Sequence, residues 1–213
     1  MSNKLICLEG IDATGKSTQF ELLKEKFSDI HTVEFPRYHS AASYSLKQYL
    51  NGAYGDADSV NHFAASALFA ADRLDWHMSQ QTHDNTLCYR YTTSNAVHQA
   101  AKLPIEDIIP FCDWLFDWEY NKLGLPRPDE VIYLYMDMET SSKLLKERGD
   151  GDIHENDDNY RKRAHDAGLL VSQHYNWRII DCAPNRTLRT INDIHKEIYE
   201  AVRTCLYGCN EAN

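Results

Sequence analysis

The chain has 213 residues, a length that fits one domain or a core domain with a mobile excursion. Its 43% hydrophobic content is enough for a sizeable core, 25% charged residues is ordinary, and no apolar run approaches the ~20 residues that span a bilayer. A formal net charge of −10 argues against non-specific binding to nucleic acid or an anionic membrane, yet leaves room for a small, locally basic phosphate site.

The opening MSNKLICLEG enters strand-like sequence directly, with no apolar signal region, so the chain reads as cytoplasmic. Lys4 to Leu8 is the first predicted strand, and Phe20, Leu23 and Phe27 mark a helix after it. Thr32 to Phe35 is the second strand, followed by a helical pattern from Ser59 to Gln81. Thr86 to Tyr91 is the third strand, and Ile105 to Lys122 the next helix. Val131 to Met136 and Arg178 to Asp181 complete the strands, and a last helix runs from Ile191 to Tyr207. Strands alternating with helices predict a parallel sheet covered on both faces, a three-layer α/β fold with five strands. The stretch from Arg148 to Arg163 is polar and dense in both charges; it is either a solvated loop leading into a helix or a moving lid. The six cysteines and ten histidines show no paired CxxC or metal-ligand spacing, so no zinc site is expected.

The strongest local signal runs from Gly10 through Asp12, Ala13, Thr14, Gly15 and Lys16 to Ser17, with Thr18 next. It matches GxxxxGK[ST] between a strand and a helix, where backbone N–H groups turn inward on phosphate oxygens. Lys16 would reach the β- and γ-phosphates of a nucleotide, and the Ser17 hydroxyl would sit on Mg²⁺. Such a loop serves GTPase switches, motor ATPases and small kinases alike. No NKxD guanine-reading segment is present, and small size with a lid-like segment leans towards a kinase.

Beyond the loop, several motifs follow in order: Leu8-Glu9-Gly10 through Gly15-Lys16-Ser17-Thr18-Gln19, then Phe35-Pro36-Arg37-Tyr38. Leu68-Phe69-Ala70-Ala71-Asp72-Arg73, Arg90-Tyr91 with Ser94-Asn95-Ala96 and Gln99, and Gly124-Leu125-Pro126-Arg127-Pro128-Asp129 complete the set. In these the sequence resembles the thymidylate kinases, P-loop nucleoside monophosphate kinases, over nearly its whole length. The resemblance implies one domain, residues 1–213, with a lid at about 148–163, acting on dTMP with ATP and Mg²⁺ as a homodimer. It implies that Phe69 lies against the pyrimidine, that Arg73 donates to a base carbonyl, and that Arg90 holds the monophosphate with Arg37 as a second phosphate ligand. Asp12 would accept from the 3′-hydroxyl, while Phe35, Tyr91, Ser94 and Gln99 would line base and sugar. Lys16, Arg90 and the lid arginine Arg148 would supply catalytic charge, with Arg161 and Arg163 in reserve.

One residue departs from the family pattern. The third strand ends Tyr89-Arg90-Tyr91 where the family has Asp-Arg-Tyr, so a carboxylate expected near the metal and phosphates is absent. Tyrosine, with a pKa near ~10, is neutral at pH 7 and cannot replace that charge. Glu9 is the candidate to compensate in part. Three outcomes stay open: a thymidylate kinase, a kinase for another deoxynucleoside monophosphate, or a weakly active nucleotide-binding homologue.

Overall fold

The computed structural model describes residues 3–55, 59–80, 84–148 and 158–208. Five strands form one sheet: β1 (Leu5–Gly10), β2 (His31–Glu34), β3 (Thr86–Tyr89), β4 (Glu130–Tyr135) and β5 (Arg178–Asp181). Their order is β2-β3-β1-β4-β5 and every neighbouring pair is parallel. The predicted strands are all present, with ends moved by no more than two residues. The third is the instructive one. It stops at Tyr89 because Arg90 takes a positive φ of 63°, which turns the chain out of the ladder.

Alternation along the strands feeds two cores. Ile6, Leu8, Leu87, Ile132 and Leu134 face α1 (Lys16–Lys26) and α8 (Ile191–Tyr207). On α8 the buried Ile194, Ile198, Ala201, Val202 and Leu206 recur at helical spacing, and the Thr190 side chain caps the first turn. Leu5, Cys7, Cys88 and Val131 point the other way. They meet residues of α3 (His62–Ser79), α4 (Thr92–His98), α5 (Ile105–Phe116) and α7 (Asp158–His174). Two further helices, α2 (Tyr44–Leu50) and α6 (Met138–Arg148), complete the eight among the described residues.

The helix expected from Ile105 to Lys122 ends as α5 at Phe116 and continues as a π-helical turn over Asp117–Lys122, which carries the fully buried Glu119. The predicted lid divides. Residues 158–163 open α7, whereas residues 149–157, with Asp152 to Glu155, lie outside the described residues. Among the described residues no helix is long and apolar enough to cross a membrane.

Candidate active site

At the C-terminal end of β1 the chain closes on itself. A Cβ added to Gly10, at φ 151°, would lie 2.7 Å from the Leu134 carbonyl oxygen and 2.9 Å from Thr14 Oγ1, so only glycine fits. Ala13 (φ 64°) and Gly15 (φ 81°) take left-handed conformations, and Gly15 caps α1. Thr14 Oγ1 and Lys16 Nζ both donate to the Ile11 carbonyl, at 2.8 and 2.9 Å. Lys16 is buried, while Ser17 and Thr18 stand exposed in the first turn of α1. A buried ammonium resting on a loop carbonyl, at a helix N-terminus, suits an incoming polyphosphate.

Beside Asp12 opens a cavity of about 170 Å³ between the sheet end and α2, α3, α4 and α7. Asp12, Phe35, Phe69, Arg73, Arg90, Tyr91, Ser94 and Gln99 all line it. Phe69 stands edge-on to Tyr49, their ring centres 6.2 Å apart, and gives the wall an aromatic face. Arg73 is fully buried. Its Nε and Nη2 donate to the two oxygens of Glu119 at 2.8 and 2.6 Å, and Thr92 donates to the same carboxylate at 2.7 Å. Burial pulls the Arg73 pKa down, and Glu119 with Tyr91 and Tyr120 more than offsets it, so the guanidinium stays charged. Gln99 is also buried, and its Oε1 has no hydrogen-bond partner among the described residues. A buried acceptor left open costs roughly 1–3 kcal/mol, and because its residue lines the cavity, Gln99 is a candidate to meet a donor on a ligand.

Arg90 projects from its left-handed backbone into the same cavity. Nη2 donates to Asp12 Oδ1 at 3.2 Å, and Nη1 lies 2.9 Å from His98 Nε2 and 3.5 Å from Ser94 Oγ. Burial lowers its pKa, but the nearby carboxylates of Asp12 and Glu9 raise it further, so it too stays protonated. A much larger depression, about 620 Å³, lies over α8 with Arg178, Arg189 and Glu197 on its rim. It has charges of both signs and no phosphate-loop residue, so it carries no comparable chemistry.

Residues 8–198 match the family model described as thymidylate kinase. The chain belongs to the thymidylate kinase family. A thymidylate kinase of Mycobacterium tuberculosis is 34% identical over 170 residues, 75% of this chain and 78% of that protein. A probable thymidylate kinase of Methanocaldococcus jannaschii is 29% identical over 201 residues, 93% and 95% of the two chains. Among solved structures, the thymidylate kinase of Candida albicans superposes with a TM-score of 0.72 at 25% identity, covering 95% of this chain and 92% of that one. That of Ehrlichia chaffeensis, at 18% identity and a TM-score of 0.64, shares the fold. Thymidylate kinases are transferases, and this chain is an enzyme of that family.

Against the thymidylate kinase reading of the sequence, three placements differ. Arg37 does not line the cavity. Its backbone N–H and Nε donate to Asp72 at 2.7 and 3.0 Å, and its Nη2 pairs with Asp75. Two carboxylates claim the guanidinium, and Asp75 is held below the usual carboxylate range chiefly by that Arg37 bond. Glu9, expected to compensate for the missing aspartate, is fully buried and already engaged through both oxygens, Oε2 by Ser94 alone. It accepts from Tyr91 N–H, Thr93 Oγ1 and Ser94 Oγ, so it anchors the start of α4. Arg163 reaches back to the Ala101 carbonyl at 2.9 Å, whereas Arg161 bonds Ser141 and Ser142, the former 3.4 Å from the Asp12 carbonyl. Arg148 closes α6, and its side chain lies outside the described residues.

Tyr89 stands where the carboxylate is missing. Its ring meets Phe20 edge-on at 5.4 Å, and the Arg90 guanidinium carbon is 5.9 Å from its ring centre. Burial, only partly opposed by Arg90, raises its pKa, so the hydroxyl stays neutral at pH 7. The cavity also contains residues that the sequence reading missed: Tyr38, Tyr49 and Leu50, then Asn95 and His98, then Tyr160. Asn95 and His98 had a findable signal. With Ser94 and Gln99 they occupy positions i, i+1, i+4 and i+5, one face of a helix. Tyr160 comes from α7, and no local pattern joins it to the rest.

Proposed function

We propose that this enzyme transfers the γ-phosphoryl group of ATP to dTMP, giving ADP and dTDP. The observation that carries the reading is the cavity beside the phosphate loop, where the charged Arg90, the aromatic Phe69 and the open acceptor of Gln99 converge. Phe69 would stack on the pyrimidine, Arg73 would donate to a base carbonyl, and Gln99 Oε1 would accept the ring N–H. Arg90 would hold the monophosphate, leaving Asp12 for the sugar hydroxyl.

The loop from Gly10 to Ser17 would cradle the triphosphate through its amides, with Ala13 and Thr14 inside the turn and Thr18 behind it. Lys16 would exchange the Ile11 carbonyl for phosphate oxygens. The described residues contain no group of three or more His, Cys, Asp or Glu that could hold a metal. Mg²⁺ keeps waters and substrate phosphates as most of its ligands and would need one or two from protein, here the exposed Ser17 hydroxyl. Bound there, Mg²⁺ would neutralise charge on the transferring phosphates. The acceptor oxygen is already ionised at neutral pH, so no general base is required. The residues around it supply position and charge, and a closed cavity excludes the water that would waste ATP. Arg148 and the segment after it remain the proposed source of further positive charge, and the homodimer and cytoplasmic location are expectations of the same reading.

Release of ADP with a panel of deoxynucleoside monophosphates tests the substrate. dTMP ranking first by kcat/KM supports the reading, and another base ranking above it replaces dTMP with that substrate. A second reading, a slow enzyme, is favoured by the neutral Tyr89 and by a buried Glu9 already committed to Tyr91, Thr93 and Ser94. Under it, Tyr89→Asp raises kcat on the order of tenfold or more, about 1.4 kcal/mol of barrier or above. An unchanged kcat removes it.

A further inference from the structure

Arg90 carries the acceptor phosphate in the proposed function, and what fixes its guanidinium is Asp12 on one arm and, on the other, a short chain of hydrogen bonds through His98 and Tyr160, which the motifs do not include. A flexible arginine loses affinity for every rotamer it must give up on binding, so a site gains by holding it in place beforehand. One arm, Nη2, is held by Asp12 Oδ1 at 3.2 Å. The other, Nη1, lies 2.9 Å from His98 Nε2. An arginine can only donate, so Nε2 is the acceptor and carries no proton. The ring proton is therefore on Nδ1, which lies 3.2 Å from Tyr160 Oη and donates to it. Tyr160 Oη in turn donates to the His98 carbonyl at 3.3 Å, closing the chain onto the backbone of α4. The two rings lie nearly parallel, at 16°, with centres 6.4 Å apart. Both line the cavity, and Tyr160 is buried.

The choice of an imidazole has a physical reason. Asp12 already places one carboxylate on Arg90, and a second on the other arm would cancel the charge that a phosphate dianion needs. A neutral imidazole accepts the bond and leaves the charge in place.

We propose that His98 is a positioning residue, whose neutral imidazole, fixed by Tyr160, holds Arg90 ready for the phosphate of the acceptor nucleotide. This rests on the monophosphate reading of Arg90, and calorimetry of two ligands separates the two claims. The protein is titrated with dTMP and with thymidine, which lacks the phosphate; the ratio of their Kd values isolates what the phosphate contributes. Wild type favours dTMP strongly. His98→Ala shrinks that ratio roughly tenfold, the loss of one charge-assisted contact, while thymidine Kd stays within about twofold. His98→Gln, whose Oε1 can stand in for Nε2 as an acceptor, recovers the ratio to within about threefold of wild type. Tyr160→Phe, which removes only the hydroxyl, shrinks it by about threefold, and decides the matter should His98→Ala not fold.

The proposal is overturned by a His98→Ala ratio equal to wild type, by equal losses for both ligands, or by a glutamine variant no better than alanine. Wild type that binds dTMP no better than thymidine overturns the Arg90 reading itself, before any variant is made.

Discussion

The phosphate loop is closed mainly by its own groups, with Ser141 and Arg90 reaching only its Asp12, whereas the acceptor cavity is held by partners from across the chain. In the loop, Thr14 and Lys16 both settle on the Ile11 carbonyl, and Gly10 and Gly15 set the turn within a few residues. In the cavity, Arg73 depends on Glu119, 46 positions away, and Arg90 on Asp12, 78 positions away. A loop closed by local bonds can exchange one carbonyl for a phosphate without disturbing the fold. A cavity built on a buried ion pair has its shape fixed in advance, and among its described residues Gln99 contributes a buried acceptor, Oε1, with no partner. The difference teaches that donor and acceptor sites should fail in different ways.

Stability gives the largest expected effect, and it belongs to the cavity. Glu119→Ala strands the Arg73 guanidinium in a fully buried position and should cost about 3–5 kcal/mol, read as a fall in the denaturant midpoint. A loss below about 1 kcal/mol would mean that the pair is not the cavity's foundation. The loop should show the reverse. Lys16→Ala removes a charged donor from a self-closed turn, so turnover should fall roughly 10²–10³-fold with dTMP affinity nearly unchanged. If dTMP binding fell equally, the two regions would not be separable in this way.

These contrasts also explain what was readable from residues alone. The loop was legible because its chemistry is local: spacing of Gly10, Gly15, Lys16 and Ser17 within eight positions fixes the backbone. The strands were legible as short continuous apolar runs, because both faces are buried: Ile6, Leu8, Ile132 and Leu134 enter one core, and Leu5, Cys7 and Val131 the other. The end of β3 was not, since Arg90 takes a left-handed φ that arginine rarely adopts and only the tertiary setting imposes. Arg37 illustrates the same limit. Its neighbours in sequence give no hint that Asp72 and Asp75, one helical turn apart on α3, would capture it. Glu9 looked like a phosphate-side carboxylate by position, yet both its oxygens bond the start of α4. Tyr160 entered the cavity through packing of α7 on α4, which no periodicity reports.

Smaller effects sharpen the comparison further. Gln99→Met keeps the volume and removes the open acceptor, so the KM for dTMP should rise roughly five- to tenfold while the KM for ATP holds. A rise in both would place Gln99 outside base recognition. Arg37→Ala should change the KM for dTMP less than about threefold, because the side chain is committed to Asp72 and Asp75. A hundredfold rise would show that Arg37 leaves its carboxylates when substrate arrives.

The most direct test of the central claim is phosphorus NMR of the protein with ATP, Mg²⁺ and dTMP, following every phosphorus resonance with time. The account predicts that dTDP and ADP rise together in equal amounts as ATP and dTMP fall, with no free phosphate ahead of them. ADP and inorganic phosphate appearing without dTDP, in this chain and in Tyr89→Asp alike, would contradict it.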